Sequence, residues 1–239
     1  MLPTATPEPV DTGWIPIAQG IASRQLSVET KGGRERLHLV RLDPQIRLRV
    51  LYQPAHPRTV SQWAEVLPSA IVITNAGYFT PDNQATGLII SDGIAEGRSH
   101  GPYAGMLAVQ PDGQTTLRWL QTRPYSPNER LVQAVQSFPV LVKPGGLMGF
   151  PIDADDGKRS RRTVVAQDES GRLILLVSPG FYFSLHELAV WLTESDLDLD
   201  IAMNLDGGTS TGLWIKGHES QIDSLVPVPA AIVIEPIRD

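Results

Sequence analysis

The chain has no cysteine in 239 residues. Disulfides, thiolate nucleophiles and cysteine-held zinc or iron–sulfur centres are therefore excluded. Positive charge is also scarce: 20 Lys+Arg stand against 26 Asp+Glu, a formal charge of −6. A nucleic-acid binder needs a basic stripe to neutralise phosphates, and a polybasic membrane-surface protein needs a similar excess, so both classes are disfavoured. No apolar run approaches the ~20 residues of a membrane-spanning helix. No cationic stretch leads into an apolar run, so no signal peptide is visible. What the chain does have is turn chemistry. Its 21 glycines and 20 prolines exceed the usual combined share of about 12%, which predicts many short strands joined by tight turns. With 41% apolar and 19% charged residues, the composition is that of a globular protein.

Residues 1–13, MLPTATPEPVDTG, read as a Pro-rich tail or linker, and 14–239 as one domain. Alternating or continuous β-branched runs predict strands at 25–30, 35–42, 46–52, 70–74, 87–91, 105–110 and 115–120. Further strands are expected at 162–168, 172–178, 201–205, 211–216 and 230–235. Two helices stand out. In 59–67 the apolar residues Val60, Trp63 and Leu67 share a face, with Thr59 or Ser61 to cap it. In 184–194, Ser184 and Glu187 form a capping box ahead of the stripe Leu185, Leu188, Ala189 and Leu192. Strands dominate, so the expected class is α+β: a mixed, largely antiparallel sheet core with a few helices in a single domain.

Four segments have the residue types for chemistry. In AMNLDGGTSTG (202–212) an apolar strand delivers Asn204 and Asp206 to one face, and two glycines and a hydroxyl-rich loop follow. Successive amides of such a loop can form an anion-binding nest, although a plain turn explains Asp-Gly-Gly equally simply. The run 70–74 ends in Asn75-Ala76-Gly77-Tyr78-Phe79, an amide to hold a sugar hydroxyl and aromatic rings for stacking, or else a turn with core aromatics. Arg159, Arg161 and Arg162 form a cationic cluster on an acidic protein, where Arg162 is suited to a bidentate grip on phosphate. Ser91-Asp92-Gly93 reads most simply as a hairpin turn.

In order, NAGYF (75–79), GLIISDG (87–93), QSFPVLV (136–142), RRTVVAQDESGRLILLV (161–177), HELAVWL (186–192) and AMNLDGGTSTGL (202–213) resemble the phosphodiester glycosidase family. The sequence departs from the family pattern at Thr209, where a glycine commonly follows Asp-Gly-Gly, and at Gln167, near which a glycine is usual. The resemblance implies a hydrolase that cleaves the sugar C–O bond of a sugar-1-phosphodiester and releases a sugar and a phosphomonoester. It implies catalytic roles for Asp206, Arg162 and Asp92. Substrate contacts are implied at Asn75, Gly77, Tyr78, Thr163, Asn204, Gly207, Gly208, Thr209 and Ser210. Glu187 is a second candidate carboxylate, equally explained as the cap partner of Ser184. No cofactor or metal is expected, the substrate is a sugar phosphodiester or an envelope glycopolymer, and the implied address is extracytoplasmic.

Other readings compete. Asp206-Gly207-Gly208-Thr209-Ser210 echoes an aspartic-protease loop, but no second matched loop completes a dyad. Asp153-Ala154-Asp155-Asp156-Gly157 opens like a calcium loop without the closing glutamate. Of the five histidines, only His100 lies near a candidate loop. A non-catalytic carbohydrate-binding domain would keep the aromatics and amides without needing Asp206 beside Arg162.

Overall fold

The computed structural model describes residues 10–218 and 221–236. The chain begins with strands β1 (Ile15–Ala18), β2 (Ile21–Thr30), β3 (Gly33–Leu42) and β4 (Arg47–Tyr52), then helix α1 (Val60–Val66) and β5 (Val72–Asn75). Next come β6 (Ile89–Ser91), β7 (Ile94–Glu96), β8 (Gly105–Val109), β9 (Thr115–Trp119), β10 (Gln133–Ser137), β11 (Val140–Lys143) and β12 (Leu147–Met148). The last part holds β13 (Ser160–Asp168), β14 (Leu173–Phe183), α2 (Leu185–Glu194), β15 (Leu199–Asn204), β16 (Leu213–Ile215) and β17 (Ala230–Glu235). Strands outnumber helices and their pairings are antiparallel, so the α+β expectation stands.

Three sheets surround one core. The largest has the order β1-β2-β3-β14-β13-β15-β11-β12, the second β7-β6-β10-β8-β9, and the third β16-β5-β17-β4. Alternation places Val165, Val177 and Met203 of the first sheet against Leu107 and Val135 of the second and Val72 and Ile232 of the third. On the opposite face of the first sheet, Val164, Ala166 and Leu176 meet Leu188, Ala189 and Leu192 of α2. Trp63 of α1 covers the third sheet with Ile73 and Val233.

Both helices start as their sequences predict. Thr59, not Ser61, caps α1, in a reciprocal box with Gln62, and Ser184 forms the corresponding box with Glu187. Strands β1, β7, β10, β11 and β12 were not among the sequence expectations. β10 explains why: Gln133, Gln136 and Ser137 are buried in it, so its hydropathy does not alternate. β14 runs five residues beyond the expected end at 178, through Pro179 and Gly180, with a bulge where it meets the start of β13. At the other end of the chain, Asp11 pairs with Arg24 and bridges to Leu26, so this part of the expected tail lies along β2. The remainder of that segment, 1–9, falls outside the described residues.

β13 and β15 position the candidate site. They are antiparallel neighbours with Val164 opposite Asn204, and the Leu205 amide donates to the Thr163 carbonyl at 2.8 Å. The chain leaving β15 therefore passes beside Arg161 and Arg162.

Candidate active site

Asn75 ends β5 and is buried between three pieces of chain. Its Nδ2 donates to the Asp206 carbonyl at 2.7 Å. Its Oδ1 accepts from the Thr163 hydroxyl at 2.9 Å and the Gly212 amide at 3.1 Å. Asn75 and Thr163, expected as substrate contacts, thus spend these side-chain groups on scaffolding the loop. A buried amide would otherwise be costly, and here both ends of the side chain are satisfied.

The glycines make room for backbone. A Cβ on Gly207 would lie 2.8 Å from the Arg161 carbonyl oxygen, and one on Gly77 3.0 Å from the Gln136 carbonyl oxygen. Gly208 has a φ of +60°, which a side chain rarely adopts. Gly77 and Gly207, expected as substrate contacts, are thus required by the packing of the backbone around them. The Gly207 amide donates to the Asp206 side chain itself, at 2.9 Å. The amides of Gly208 and Thr209 head a short 3-10 turn and donate to no group among the described residues.

Asp206 is half-buried and forms no ion pair among the described residues. Burial pushes its carboxyl up to about 6, while the Ser210 hydroxyl and the Gly207 amide oppose that rise. Tyr78 is raised to about 12 by burial, and by the adjacent Asp206 charge. Asn204 is fully buried behind Tyr78: its Nδ2 donates to the Tyr78 hydroxyl at 2.8 Å, the Leu205 carbonyl at 2.6 Å and the Phe138 carbonyl at 3.3 Å. Its Oδ1 has no partner. Asn204, expected to hold a sugar hydroxyl, therefore holds the tyrosine through its Nδ2.

Arg162 enters from β13. Its Nη2 donates to the Lys158 carbonyl at 2.7 Å and its Nε to the Phe183 carbonyl at 3.4 Å, and Nη1 has no hydrogen-bond partner among the described residues. Burial lowers its pKa, while Tyr78, Asp155 and Asp156 favour its charge. The Tyr78 phenol thus lies within electrostatic reach of both Arg162 and Asp206, although no ion pair joins those two.

Beside this cluster opens a cleft of about 560 Å³. Tyr78 and Phe138 are part of its wall, with Tyr103, Trp119, Phe150 and Leu185 among the others. Asp206 and Arg162 are not in that lining and lie next to it, on the Tyr78 side. Phe138, in a cis peptide with Pro139, stacks on Tyr78 at 4.8 Å and meets His100 edge-on at 5.0 Å. The His100 Nε2 is buried without a partner, and burial lowers its pKa. Sequence reasoning singled out Tyr78 and noted His100 but missed the other aromatics. The chain has only five each of Trp, Tyr and Phe, so their gathering at one cleft is a fact of folding with no local motif to announce it. Phe79 turns the other way, into the Trp63 cluster.

Two expected carboxylates sit elsewhere. Asp92 occupies the β6–β7 turn, paired with Arg49 at 2.8 Å and accepting from Gln133 at 2.7 Å. Gln133 and Ser137 are the two ends of β10, about 13 Å apart at strand rise. Asp92, expected to be catalytic, is thus at the far end from Phe138 and engaged by Arg49 and Gln133. Glu187 is the cap partner of Ser184, and Arg159 grips it at 2.7 Å and holds its carboxyl below the usual range. Among the described residues no group of three or more His, Asp and Glu is placed to hold a metal, the 153–156 run included.

Comparison with known proteins agrees with the fold. The zebrafish N-acetylglucosamine-1-phosphodiester alpha-N-acetylglucosaminidase catalytic domain, auto-inhibited by its pro-peptide, superposes with a TM-score of 0.70 at 20% identity, over 96% of this chain and 85% of that one. A hypothetical protein from Synechocystis gives 0.65 at 20% identity, over 93% and 63%. A candidate exported protein of Burkholderia pseudomallei gives 0.60 at 14% identity, over 85% and 74%. No curated protein sequence matches. The sequence model of the phosphodiester glycosidase family matches residues 68–235, which contain Asn75, Tyr78, Arg162, Asn204 and Asp206. The chain belongs to the phosphodiester glycosidase family.

Proposed function

We propose that this protein hydrolyses the glycosidic C–O bond of a sugar-1-phosphodiester, releasing the free sugar and a phosphomonoester. The observation that carries this reading is Asp206: a half-buried carboxylate, without a cation, raised to about 6 beside an open cleft. A group so placed is ionised at neutral pH and still basic enough to take a proton. Water supplies a hydroxyl to the anomeric carbon, the carbon–oxygen bond to phosphate breaks, and the phosphate leaves with that electron pair. A phosphate leaving group already carries charge, so electrostatic stabilisation matters more than full protonation. Arg162 Nη1 and the free amides of Gly208 and Thr209 are the donors available for that charge. Asp206 is the nucleophile or the base for water, and the anomeric configuration of the released sugar distinguishes the two. The family's phosphodiester substrates also fit an extracytoplasmic protein.

The test is sugar release from a panel of sugar-1-phosphodiesters, with Asp206→Asn as control. Turnover by the native protein and its loss in the variant support the reading. Equal turnover by both removes Asp206 from the mechanism. Binding of the panel without turnover turns the domain into a carbohydrate-binding module.

A further inference from the structure

The cleft beside Asp206 has aromatic faces but offers few polar groups for the hydroxyls of a sugar. A sugar ring presents a hydroxyl on nearly every carbon, and a site for one needs partners of matching number, since each buried hydroxyl left unpaired is costly. Here the polar side-chain groups are Gln121, Lys143, the hydroxyl of Tyr103 and the indole N–H of Trp119. The Tyr78 hydroxyl already accepts from Asn204. Lys143 Nζ lies 5.3 Å from the Trp119 ring centroid, so its charge rests on an aromatic face. The rest of the wall is ring and aliphatic surface: Phe138, Phe150, Trp119, Val140 and Leu185.

The apolar character continues outside the cleft. Tyr103 is 58% exposed, and so is Ile152, at 67%, between the lining residues Pro151 and Ala154. Leu147, 63% exposed, faces Lys143 across the β11–β12 hairpin. Large apolar side chains left in water around an apolar cleft mark a binding surface. The cleft joins the polar cluster through Tyr78 and Phe138, which line it and are both hydrogen-bonded to Asn204, while the Asp206 charge acts on Tyr78.

We propose that the cleft receives the aglycone of the substrate, and that this aglycone is a hydrocarbon or aryl group esterified to the phosphate, not a second sugar. The proposal rests on the hydrolase reading above for its word aglycone, but the cleft's preference is measurable without turnover. The sugar binds on the Asp206 side of Tyr78, the phosphate lies near Arg162, and the apolar chain runs over Phe138 toward Trp119 and Phe150. Tyr103, Trp119 and Phe150 are then the residues that set specificity.

The test uses three phosphomonoesters as product-side probes, titrated by calorimetry: methyl phosphate, hexyl phosphate and glucose 6-phosphate. Hexyl phosphate is expected to bind at least tenfold more tightly than methyl phosphate, with a negative heat-capacity change from apolar burial. Tyr103→Ala, at an exposed position, should cut that advantage several-fold and leave methyl phosphate affinity unchanged, and Trp119→Leu should do the same. Equal affinity for methyl and hexyl phosphate overturns the proposal. So does tighter binding of glucose 6-phosphate than of hexyl phosphate, which makes the cleft a second-sugar site. A parallel assay compares hydrolysis of the methyl and hexyl phosphodiesters of one sugar. A chain-length preference in binding with no turnover of either ester sinks the hydrolase reading and leaves the apolar cleft standing. Turnover of both esters with identical KM sinks the cleft proposal and leaves the hydrolase reading standing.

Discussion

The Asn75 side-chain amide donates to the backbone carbonyl of Asp206 at 2.7 Å, across 131 residues of sequence. The bond fixes the carbonyl of the residue whose carboxylate is the proposed reactive group, and it leaves that carboxylate alone. Asn75→Asp would set a carboxylate against that carbonyl and lose the donor, and Asn75→Ala would strand the Thr163 hydroxyl and the Gly212 amide. Either change is expected to cost about 2–4 kcal/mol of stability. Urea denaturation checks this by a lowered midpoint at unchanged slope.

The raised carboxyl of Asp206 sets a pH dependence for activity. As the base or nucleophile, Asp206 must be ionised, so kcat/KM is expected to fall about tenfold per unit below pH 6. Asp206→Asn should lower kcat by at least a hundredfold and remove that acid limb from the residual rate. A pH–rate profile of both proteins is the measurement.

The same group works against stability in the opposite sense. Its folded pKa of about 6 exceeds the ordinary 3.8, so the folded state favours the protonated form. The stabilisation is complete below about pH 4 and is lost as pH rises through 6. Asp206→Asn carries no such charge and should be the more stable protein at pH 8, by about 2 kcal/mol once residual solvent contact is allowed for. Denaturation of native and variant protein at pH 4 and pH 8 gives the comparison, and a gain no larger at pH 8 than at pH 4 refutes it.

Arg162 is held by two carbonyls that fit the fork of a guanidinium and not the single point of an ammonium. Arg162→Lys keeps the charge and loses the aim. Expected is a loss of kcat of more than tenfold with weaker inhibition by phosphomonoesters, read from steady-state kinetics and product inhibition.

Asp92→Asn and Glu187→Gln should leave turnover within a factor of two. Their partners are Arg49 and Gln133 in one case, Arg159 and Ser184 in the other, all structural. A large loss of kcat in either variant would return a second carboxylate to the mechanism.

The sequence was legible where local rules decide the outcome. The capping box at Ser184, a cap at the start of α1 and the apolar runs of the β13–β14 hairpin follow from neighbours a few residues apart. Period two assigned Asn204 and Asp206 to one face, although β15 ends at Asn204 and Asp206 lies beyond it. It gave no sign that Asn204 is sealed behind Tyr78 or that Asn75 is consumed by the loop, because those outcomes depend on partners more than 80 residues away. A polar residue at a strand end looks the same whether it meets a ligand or another strand. The glutamines of β10 concealed a central strand for a related reason: their buried amides find partners such as Ser99 and the Val50 backbone that only the folded chain supplies.

The junction between β14 and α2 serves two ends at once. The Phe183 carbonyl steadies the Arg162 guanidinium, and the next residue, Ser184, begins the helix. Loss of the Ser184 cap would therefore loosen the guanidinium through the neighbouring carbonyl, although Ser184 itself touches no reacting atom.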